Sequence, residues 1–284
     1  MRLKLSVVAA GLAIAVMSGW AVSAKVPETL RIATDGESPP YSVAKPDGSV
    51  EGFEIDLAKI LCEKVGVKCT VEVQNFDGMI PALTAGKFDV IMASMSITEK
   101  RKKVIDFSLP YGGTGNTMAA IKGGSLDGLP GLGTKLSLED PGAADIIAKM
   151  AEMLKGKKIG VESGSVSADF AKEKFGSVAE VHEYKKSDEI NLDLVAGRID
   201  AELNGRSFIF NSTKQPENKD MVMVGPVFDE GVFGLGVGFG LRKEDADLTA
   251  KINDAIKATV AEGKLKELSM KWFGFDITPV SLRK

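Results

Sequence analysis

The feature that most constrains the fold is an alternation of strand and helix patterns that occurs twice along the chain. Both units have the order strand, helix, strand, helix, strand. Their predicted elements span residues 30–34, 56–65, 69–73, 79–85 and 88–93 in the first unit, and 158–162, 166–175, 181–184, 187–196 and 199–203 in the second. Because consecutive β-α-β units form parallel sheets with helices on their faces, the sequence predicts two α/β lobes.

A short echo supports two lobes of like topology. The segment AGKFD at 85–89 and the segment AGRID at 196–200 occupy the same place in the two units, each joining a helix stop to a strand. Similar loop chemistry by coincidence is the alternative. The helix pattern at 56–65 itself is clear, because its apolar residues fall on one face and Gly66 follows as a stop signal.

The segments outside the two units predict that the chain crosses between the lobes twice. A Gly-rich stretch with a predicted helix at 142–154 fills residues 112–157, and 233–241 alternates glycine with apolar residues as a strand would. Helices are predicted at 247–263 and around 265–273. We therefore assign residues 25–113 and 234–284 to lobe 1, residues 114–233 to lobe 2, and a two-stranded hinge to 111–116 and 229–235.

The first 24 residues have the pattern of a signal peptide cleaved near Ala24. Arg2 and Lys4 precede an apolar run at 5–17, and Val22-Ser23-Ala24 is a small-residue cleavage motif. We thus expect an exported, periplasmic protein. This segment carries two of the 36 lysine and arginine residues and none of the 39 acidic ones, so the mature net charge would be −5. That balance argues against a nucleic-acid partner.

Cys62 and Cys69 are the only cysteines of the chain. They lie at the end of one predicted helix and the start of the next strand, and exported proteins favour oxidised cysteines. A disulfide is therefore predicted. The alternative, a metal or redox site, lacks a second cysteine pair and a nearby histidine.

The stretch DVIMASMSITEKR at 89–101 predicts an anion-binding site. A buried strand runs into two serines, Ser94 and Ser96, and then into Arg101, whose guanidinium can bind a carboxylate through two parallel hydrogen bonds. The serine hydroxyls and backbone amides would complete the shell. Taken alone, an arginine in the basic run 100–103 is more often solvated, but the position of Arg101 after the two serines favours the anion site.

The glycine-rich segments of the chain do not have the residue spacing of known nucleotide-binding motifs. GLPGLGTK at 128–135 lacks the lysine directly after the second glycine that a phosphate-binding loop requires, and the glycines of 234–240 lie inside a predicted strand. The single histidine, His182, lies on a predicted strand, EVHEY, with charged neighbours, which gives a catalytic triad or a metal site little to work with. We expect no cofactor, no metal and no catalytic residue.

Together, the chain resembles the periplasmic solute-binding proteins, family 3, which deliver polar amino acids to ABC importers. The resemblance is carried by the cysteine pair and by GFEIDLA (52–58), DGMIPAL (77–83), SMSITEKR (94–101), AGRID (196–200) and GLRKED (240–245). It is strongest toward the histidine, lysine/arginine/ornithine and octopine/nopaline receptors. It implies a two-lobed type II fold, each lobe with a mainly parallel sheet, a monomer, and an inner-membrane ABC permease as partner.

The resemblance also implies a ligand site. Asp35 would hold the ligand's cationic side chain, Phe76 would pack on its alkyl part, and Arg101 would take the α-carboxylate. The loop 163–167 would close over that carboxylate, with the Ser165 amide as a donor at a helix start. The full candidate set is Asp35, Ser38, Tyr41, Phe76, Ala93, Ser94, Ser96, Arg101, Glu162, Gly164, Ser165, Val166, Ser167, Asn204 and Gly205.

Three departures from the family's pattern bear on the ligand. Gly205 stands where amino-acid receptors have an aspartate for the α-ammonium, and the sequence leaves open whether Asn204, Glu202 or Glu162 replaces it. An aromatic wall expected near Ser38 is missing, although Tyr41 is close. The stretch 125–154 is longer than in histidine receptors. A ligand with a substituted α-nitrogen, as in an opine, would suit these changes.

The sequence therefore predicts a receptor for a cationic amino acid or opine of the arginine, ornithine or octopine type. Two alternatives stay open. One is a cyclohexadienyl (prephenate or arogenate) dehydratase on the same fold, and the other is a receptor for a neutral polar amino acid.

Overall fold

The computed structural model describes residues 26–283, so the predicted signal peptide and its cleavage site near Ala24 lie outside the described residues. The strands are β1 (Thr29–Thr34), β2 (Glu37–Ser38), β3 (Ser42–Ala44), β4 (Val50–Glu51), β5 (Lys68–Val73), β6 (Val90–Ile91), β7 (Asp106–Phe107), β8 (Asn116–Ile121), β9 (Lys135–Ser137), β10 (Lys158–Glu162), β11 (Glu180–Tyr184), β12 (Ala201–Gly205), β13 (Met221–Asp229) and β14 (Gly240–Leu241).

The helices alternate with the strands in both halves. They are α1 (Phe53–Val65), α2 (Met79–Thr84), α3 (Glu99–Lys102), α4 (Ala143–Met153), α5 (Val166–Phe175), α6 (Ser187–Val195), α7 (Arg206–Ser212), α8 (Ala246–Ala261) and α9 (Lys264–Phe273), with single 3-10 turns at Phe76–Gly78, Pro216–Asn218, Gly231–Phe233 and Val280–Leu282.

Lobe 1 is built on a sheet with the strand order β5-β1-β6-β14-β7. The strands β5, β1 and β6 are parallel, whereas β14 is antiparallel to both β6 and β7. Apolar residues of β1 pack with α1, α8 and α9 in one core cluster, and α2 packs with Ile91 and Phe88 in another. The C-terminal helices thus complete the first lobe.

Lobe 2 is built on a sheet with the order β11-β10-β12-β8-β13-β9. β11, β10 and β12 are parallel, and β8 is antiparallel to β12 and β13. In the core of this lobe the ring of Phe170 contacts those of Phe175, Phe228 and Phe233, and the last two also contact each other. Because β10 and β12 are parallel neighbours, their carboxyl ends lie side by side.

The prediction of a two-lobed α/β protein is confirmed, with one refinement. Both sheets are mainly parallel, but each contains one antiparallel strand, β14 in lobe 1 and β8 in lobe 2, because the crossing segments contribute these strands. β8 enters the second sheet directly after the first crossing, and β14 returns to the first sheet after the second.

The prediction of a continuous strand over 233–241 is wrong. Only Gly240 and Leu241 join the sheet, while Val237 makes isolated bridges to Ser96 and Gly112. The glycines serve close approach instead: a Cβ on Gly234, whose φ is +77°, would lie 2.1 Å from the Ile97 carbonyl oxygen. A regular strand with side chains at these positions has no room there.

The two crossing segments contact each other. The Val237 amide donates to the Gly112 carbonyl at 2.8 Å, and the Tyr111 amide donates to the Val237 carbonyl at 3.0 Å. This pairing gives the connection between the lobes its two-stranded character.

The predicted disulfide between Cys62 and Cys69 is present. It joins the last turn of α1 to β5, and Gly66 between them ends the helix in the left-handed conformation, with φ +78°. In the part of the chain that the structure describes, no helix is long and apolar enough to cross a membrane.

Candidate ligand-binding cleft

A cavity of about 1130 Å³ is lined by residues of both lobes, at the ends of β1, β10 and β12. Ligands of open α/β sheets bind beyond the carboxyl ends of strands. Most of the candidate residues lie on its wall: Asp35, Ser38, Tyr41, Phe76, Ser94, Ser96, Arg101, Glu162, Ser165, Val166, Ser167, Asn204 and Gly205. Ala93 is buried in the core of lobe 1, and Gly164 contributes its carbonyl to Arg101.

The lobes touch each other across this cavity, so the structure is a closed form. Lys100 of α3 forms an ion pair with Asp169 of α5 at 2.7 Å. At another point Lys186 forms an ion pair with Glu37. Arg101 donates to the Gly164 carbonyl at 3.1 Å. These contacts enclose the space between the strand ends.

Arg101 is held with its cation buried at the junction of the lobes. Its side chain lies in α3, a short helix capped by Thr98, and only 8% of the residue is exposed. Nη1 donates to the Ser96 carbonyl at 2.9 Å, and the guanidinium lies 5.4 Å from the centre of the Phe76 ring. Among the described residues it has no ion-pair partner.

The electrostatic consequence is an arginine that lacks a counter-ion. Burial lowers the pKa of Arg101 to about 10, although the more distant charges of Asp169 and Glu162 oppose that effect. The side chain is still a cation near neutral pH. A carboxylate bound between Arg101 and the loop would therefore meet an anion site that is already formed.

The expectation that the Ser94 amide joins the anion shell is not met in this form. Ser94 has φ +43°, and its amide donates to Glu54 Oε1 at 2.7 Å. Glu54 Oε1 also accepts a hydrogen bond from the Tyr111 hydroxyl. Because Glu54 occupies the amide, the hydroxyl is the donor that Ser94 has left for a ligand carboxylate.

Asp35 is buried, with 5% of the residue exposed, and is held by three local donors. The Ser42 hydroxyl donates to Oδ1 at 2.7 Å, the Ser38 hydroxyl donates to Oδ2, and the Glu37 amide donates to Oδ1 at 3.3 Å. These bonds fix the carboxylate at the end of β1. Since each carboxylate oxygen has two acceptor sites, the group can still receive a ligand donor.

Tyr41 lies mostly beneath the cleft wall. Its ring packs on Phe273, with centroids 4.9 Å apart, and on Phe53, with centroids 6.0 Å apart, and the residue is buried. The ring therefore belongs to the core of lobe 1 and also lines the cavity. It does not form a free-standing aromatic wall of the kind expected near Ser38.

The loop 163–167 is bound differently from the prediction. The Ser165 amide donates to the Glu162 carbonyl at 3.2 Å, and the Ser165 hydroxyl accepts from the Ala168 amide at 3.1 Å as the cap of α5. The Ser165 amide is therefore used within the loop. Ser167 lines the cleft, and its hydroxyl accepts from Asn116 Nδ2 at 2.9 Å.

The region around Gly205 has space where a side chain is missing. A Cβ on Gly205 would meet no atom within 4 Å, and its φ of −56° is ordinary for any residue. The neighbouring Asn204 donates to Ser187 Oγ at 2.9 Å and to Glu202 Oε1 at 3.0 Å, and it accepts from the Gly205 amide at 2.7 Å. Its amide group is thus committed to the protein.

Two glutamates of lobe 2 lie in this region. Glu202 is fully buried in β12, does not line the cavity, and leaves Oε2 without a partner. Burial raises the pKa of Glu202 to about 8. Glu162, at the end of β10, does line the cavity, and burial raises its pKa well above the ordinary value.

Some cleft residues have no sequence signal that we recognised. Asn116, at the start of β8, lines the cavity and binds Ser167, and the Glu37–Lys186 ion pair joins the lobes. They are polar residues in loops or at strand ends, which are usually only solvated. Among residues 26–283, no group of three or more potential metal ligands is found.

Two α/β lobes with two crossings, and a polar cleft with a buried arginine between them, define a solute-binding protein. The chain belongs to the bacterial extracellular solute-binding proteins, family 3, whose family model matches residues 30–275.

Among its relatives, the octopine-binding periplasmic protein of Rhizobium meliloti is 40% identical over 98% of this chain and 100% of its own. An ancestral arginine-binding protein bound to arginine has a TM-score of 0.73 at 34% identity, over 87% of this chain and 99% of its own. The ancestral amino acid-binding protein AncCDT-1, a precursor of cyclohexadienyl dehydratase, has a TM-score of 0.71 at 31% identity, over 87% and 96%.

Proposed function

We propose that this protein is a periplasmic receptor that captures a cationic amino acid or an opine and delivers it to an inner-membrane ABC permease. The observation that carries the proposal is the buried, unpaired guanidinium of Arg101 in the cleft, together with the carboxylate of Asp35 on the same wall. One group suits a ligand carboxylate and the other a ligand cation.

The proposed roles follow the geometry. Arg101 binds the α-carboxylate from lobe 1, with the hydroxyls of Ser94 and Ser96 beside it. Phe76, whose ring lies under the guanidinium, packs on the ligand's alkyl part. Val166 and Ser167 cover the ligand from lobe 2, while Ser165 holds the start of α5.

Closure couples ligand to transport in this proposal. A ligand that contacts both lobes favours the closed form by its difference in affinity for the closed and open forms. The contacts of Arg101 with Gly164 and of Lys100 with Asp169 exist only when the lobes meet. The closed monomer would then dock on the permease, after removal of residues 1–24.

The vacancy at Gly205 allows both ligand types. An opine carries a substituent on its α-nitrogen, which needs the space that an aspartate side chain would fill. The octopine receptor among the relatives supports this possibility, and the arginine-bound structure supports an unsubstituted ligand.

The test is a thermal-shift panel on mature protein that has been unfolded and refolded to remove bound solute. Arginine, ornithine, lysine, histidine, octopine, nopaline, neutral amino acids and prephenate are added in turn. A ligand present at 100 times its Kd should stabilise the native state by about 2.7 kcal/mol. Stabilisation by cationic amino acids or opines is expected, and a response to neutral amino acids alone would contradict the proposal.

A dehydratase is the second candidate, because AncCDT-1 is described as a precursor of such an enzyme and buried carboxyl groups lie at or behind this cleft. Incubation of the protein with prephenate or arogenate and chromatography of the products distinguishes the two functions. Product formation that tracks the protein concentration would establish the enzyme, whereas ligand stabilisation without turnover is expected here.

A further inference from the structure

We propose that Glu162 is the acceptor for the ligand's protonated α-nitrogen, taking the role that the vacant position 205 leaves open. This inference rests on the proposed function, since it names the partner of one group of the same ligand. It assigns selectivity for a charged α-nitrogen to lobe 2.

The position of Glu162 is the first support. It is the last residue of β10, where that strand opens into the cleft, and it lines the cavity although only 9% of the residue is exposed. Its carboxyl group forms no hydrogen bond or ion pair with any described residue. A carboxyl so deeply buried is normally paired, so a partner from the ligand would complete it.

The alternatives in the same region are occupied or out of reach. Asn204 uses its side-chain amide on Ser187, Glu202 and the Gly205 backbone. Glu202 lies behind the wall and does not line the cavity. Glu162 is therefore the remaining one of the three side chains that could replace the aspartate.

The charges around Glu162 favour a cation beside it. Asp35 and Glu37 from lobe 1 and Glu202 from β12 repel its negative charge, and Arg101 is the one cation that the structure shows acting on it among the described residues. Together with burial, these carboxylates keep the pKa of Glu162 well above its ordinary value. A ligand ammonium would favour the ionised form, so binding should release a proton over the pH range where Glu162 is protonated in the free protein.

The ligand class follows from this partner. The α-nitrogen must be charged, as in the primary ammonium of arginine or the secondary ammonium of an opine. An N-acyl derivative keeps the carboxylate and the guanidinium but carries an uncharged amide nitrogen. Such a derivative should bind more weakly, because its amide cannot supply the charge that Glu162 lacks.

Isothermal titration calorimetry of the mature protein tests the inference. The probes are arginine, octopine and α-N-acetylarginine, and the proteins are wild type, Glu162→Gln and the control Glu183→Gln. Glu183 lies in β11, away from the cleft lining, and pairs with Lys172 at 2.7 Å. Titrations in buffers of different ionisation enthalpy count the protons released.

Of arginine and octopine, one will bind wild type more tightly. Glu162→Gln should lower the affinity for that probe roughly 10- to 100-fold, as expected for loss of a charged hydrogen bond in a desolvated site. The affinity for α-N-acetylarginine should change little, and proton release should disappear. Glu183→Gln should match wild type. In Glu162→Gln/Gly205→Asp, a carboxylate placed in the open space at 205 should restore binding of arginine.

Several outcomes would overturn the assignment. Unchanged affinity of Glu162→Gln for the charged probe is one, and equal losses for charged and acylated probes are another, because they would indicate a structural role. A double variant that binds arginine no better than Glu162→Gln would show that the nitrogen does not lie beside position 205, and would contradict the claim that Glu162 replaces a side chain there. If wild type binds none of the cationic probes, the proposed function itself fails. The outcomes above, in which wild type binds but Glu162 plays no part, contradict the Glu162 assignment alone.

Discussion

The buried carboxyl groups of the two lobes differ in how they are satisfied. In lobe 1, Asp35 accepts three hydrogen bonds from protein groups, whereas Glu54 accepts two at Oε1 and leaves its buried Oε2 without a partner among the described residues. In lobe 2, within the described part of the chain, the carboxyl group of Glu202 has one hydrogen bond and that of Glu162 has none. Lobe 1 thus presents in Asp35 an acceptor that is fixed before a ligand arrives, whereas lobe 2 holds in Glu162 a carboxyl whose partner must come from outside.

The contrast indicates a division of labour. A carboxylate that is already held by hydrogen bonds, as Asp35 is, costs little to orient when a ligand binds, so lobe 1 is suited to position the ligand. A buried carboxyl without a partner, such as Glu162, is unfavourable until a cation reaches it. The favourable free energy from lobe 2 is therefore expected mainly when the lobes close on a ligand. A ligand that binds the closed form more tightly than the open form shifts the equilibrium toward the closed form.

The largest expected effect tests the anion site of lobe 1. Arg101→Ala should weaken binding of a carboxylate ligand by about 2–5 kcal/mol, because a desolvated charge would lose its partner. Titration calorimetry measures it. Arg198→Ala is the matched control, since Arg198 is exposed and paired with Asp193. Equal affinities of the Arg101→Ala and Arg198→Ala proteins would remove the carboxylate role.

A smaller effect is expected at the cation acceptor of lobe 1. Asp35→Asn should weaken arginine or ornithine by about 1.5–3 kcal/mol, the range for hydrogen bonds to charged groups, and should affect neutral amino acids far less. Competition binding against both ligand types gives the two values. If both types lose the same free energy, Asp35 is not the selector of the side chain.

The next prediction concerns Glu54, which binds the Ser94 amide and accepts a hydrogen bond from Tyr111. Tyr111→Phe removes the hydroxyl that donates to Glu54 and should lower the free energy of unfolding by about 1–3 kcal/mol, as for a buried polar group left without a partner. Urea denaturation measures this change. Tyr184→Phe removes a hydroxyl that binds Asp193 at a half-buried site and should cost less. A larger loss of stability in Tyr184→Phe than in Tyr111→Phe would contradict the importance of the hydrogen bond between Tyr111 and Glu54.

A gradual pH dependence is expected from lobe 2. Because the pKa of Glu202 is raised to about 8 in the folded protein from its usual 4.5, the native state binds more protons than the unfolded state between those values. The free energy of unfolding should therefore fall as pH rises from about 4.5 to about 8, by at most about 1.4 kcal/mol per pH unit from this group.

Glu202→Gln removes that titration. Its stability should equal that of wild type near pH 5, exceed it near pH 8, and vary less in between, as measured by denaturation across this range. Parallel pH profiles of the two proteins would show that Glu202 does not titrate in the folded state as stated.

Local patterns were enough for much of the fold. The helix α5 and the strand β10 match their predicted bounds residue for residue, because strand and helix periodicities and a serine cap define them locally. The region 233–241 was misread, since alternating glycines look like a strand in sequence. Their real constraint is close contact with the Ile97 region, far away along the chain.

By itself, the sequence determined the two α/β lobes, the disulfide and the serine-arginine segment of the cleft, because short-range periodicity and spacing encode them. Only the tertiary structure decided which polar groups remain free. Glu54 takes the Ser94 amide from 40 residues away, and Arg101 reaches Gly164 across 63 residues. Hydrogen-bond partners between distant segments cannot be read from local pattern, and neither can the lack of a partner for Glu162 among residues 26–283.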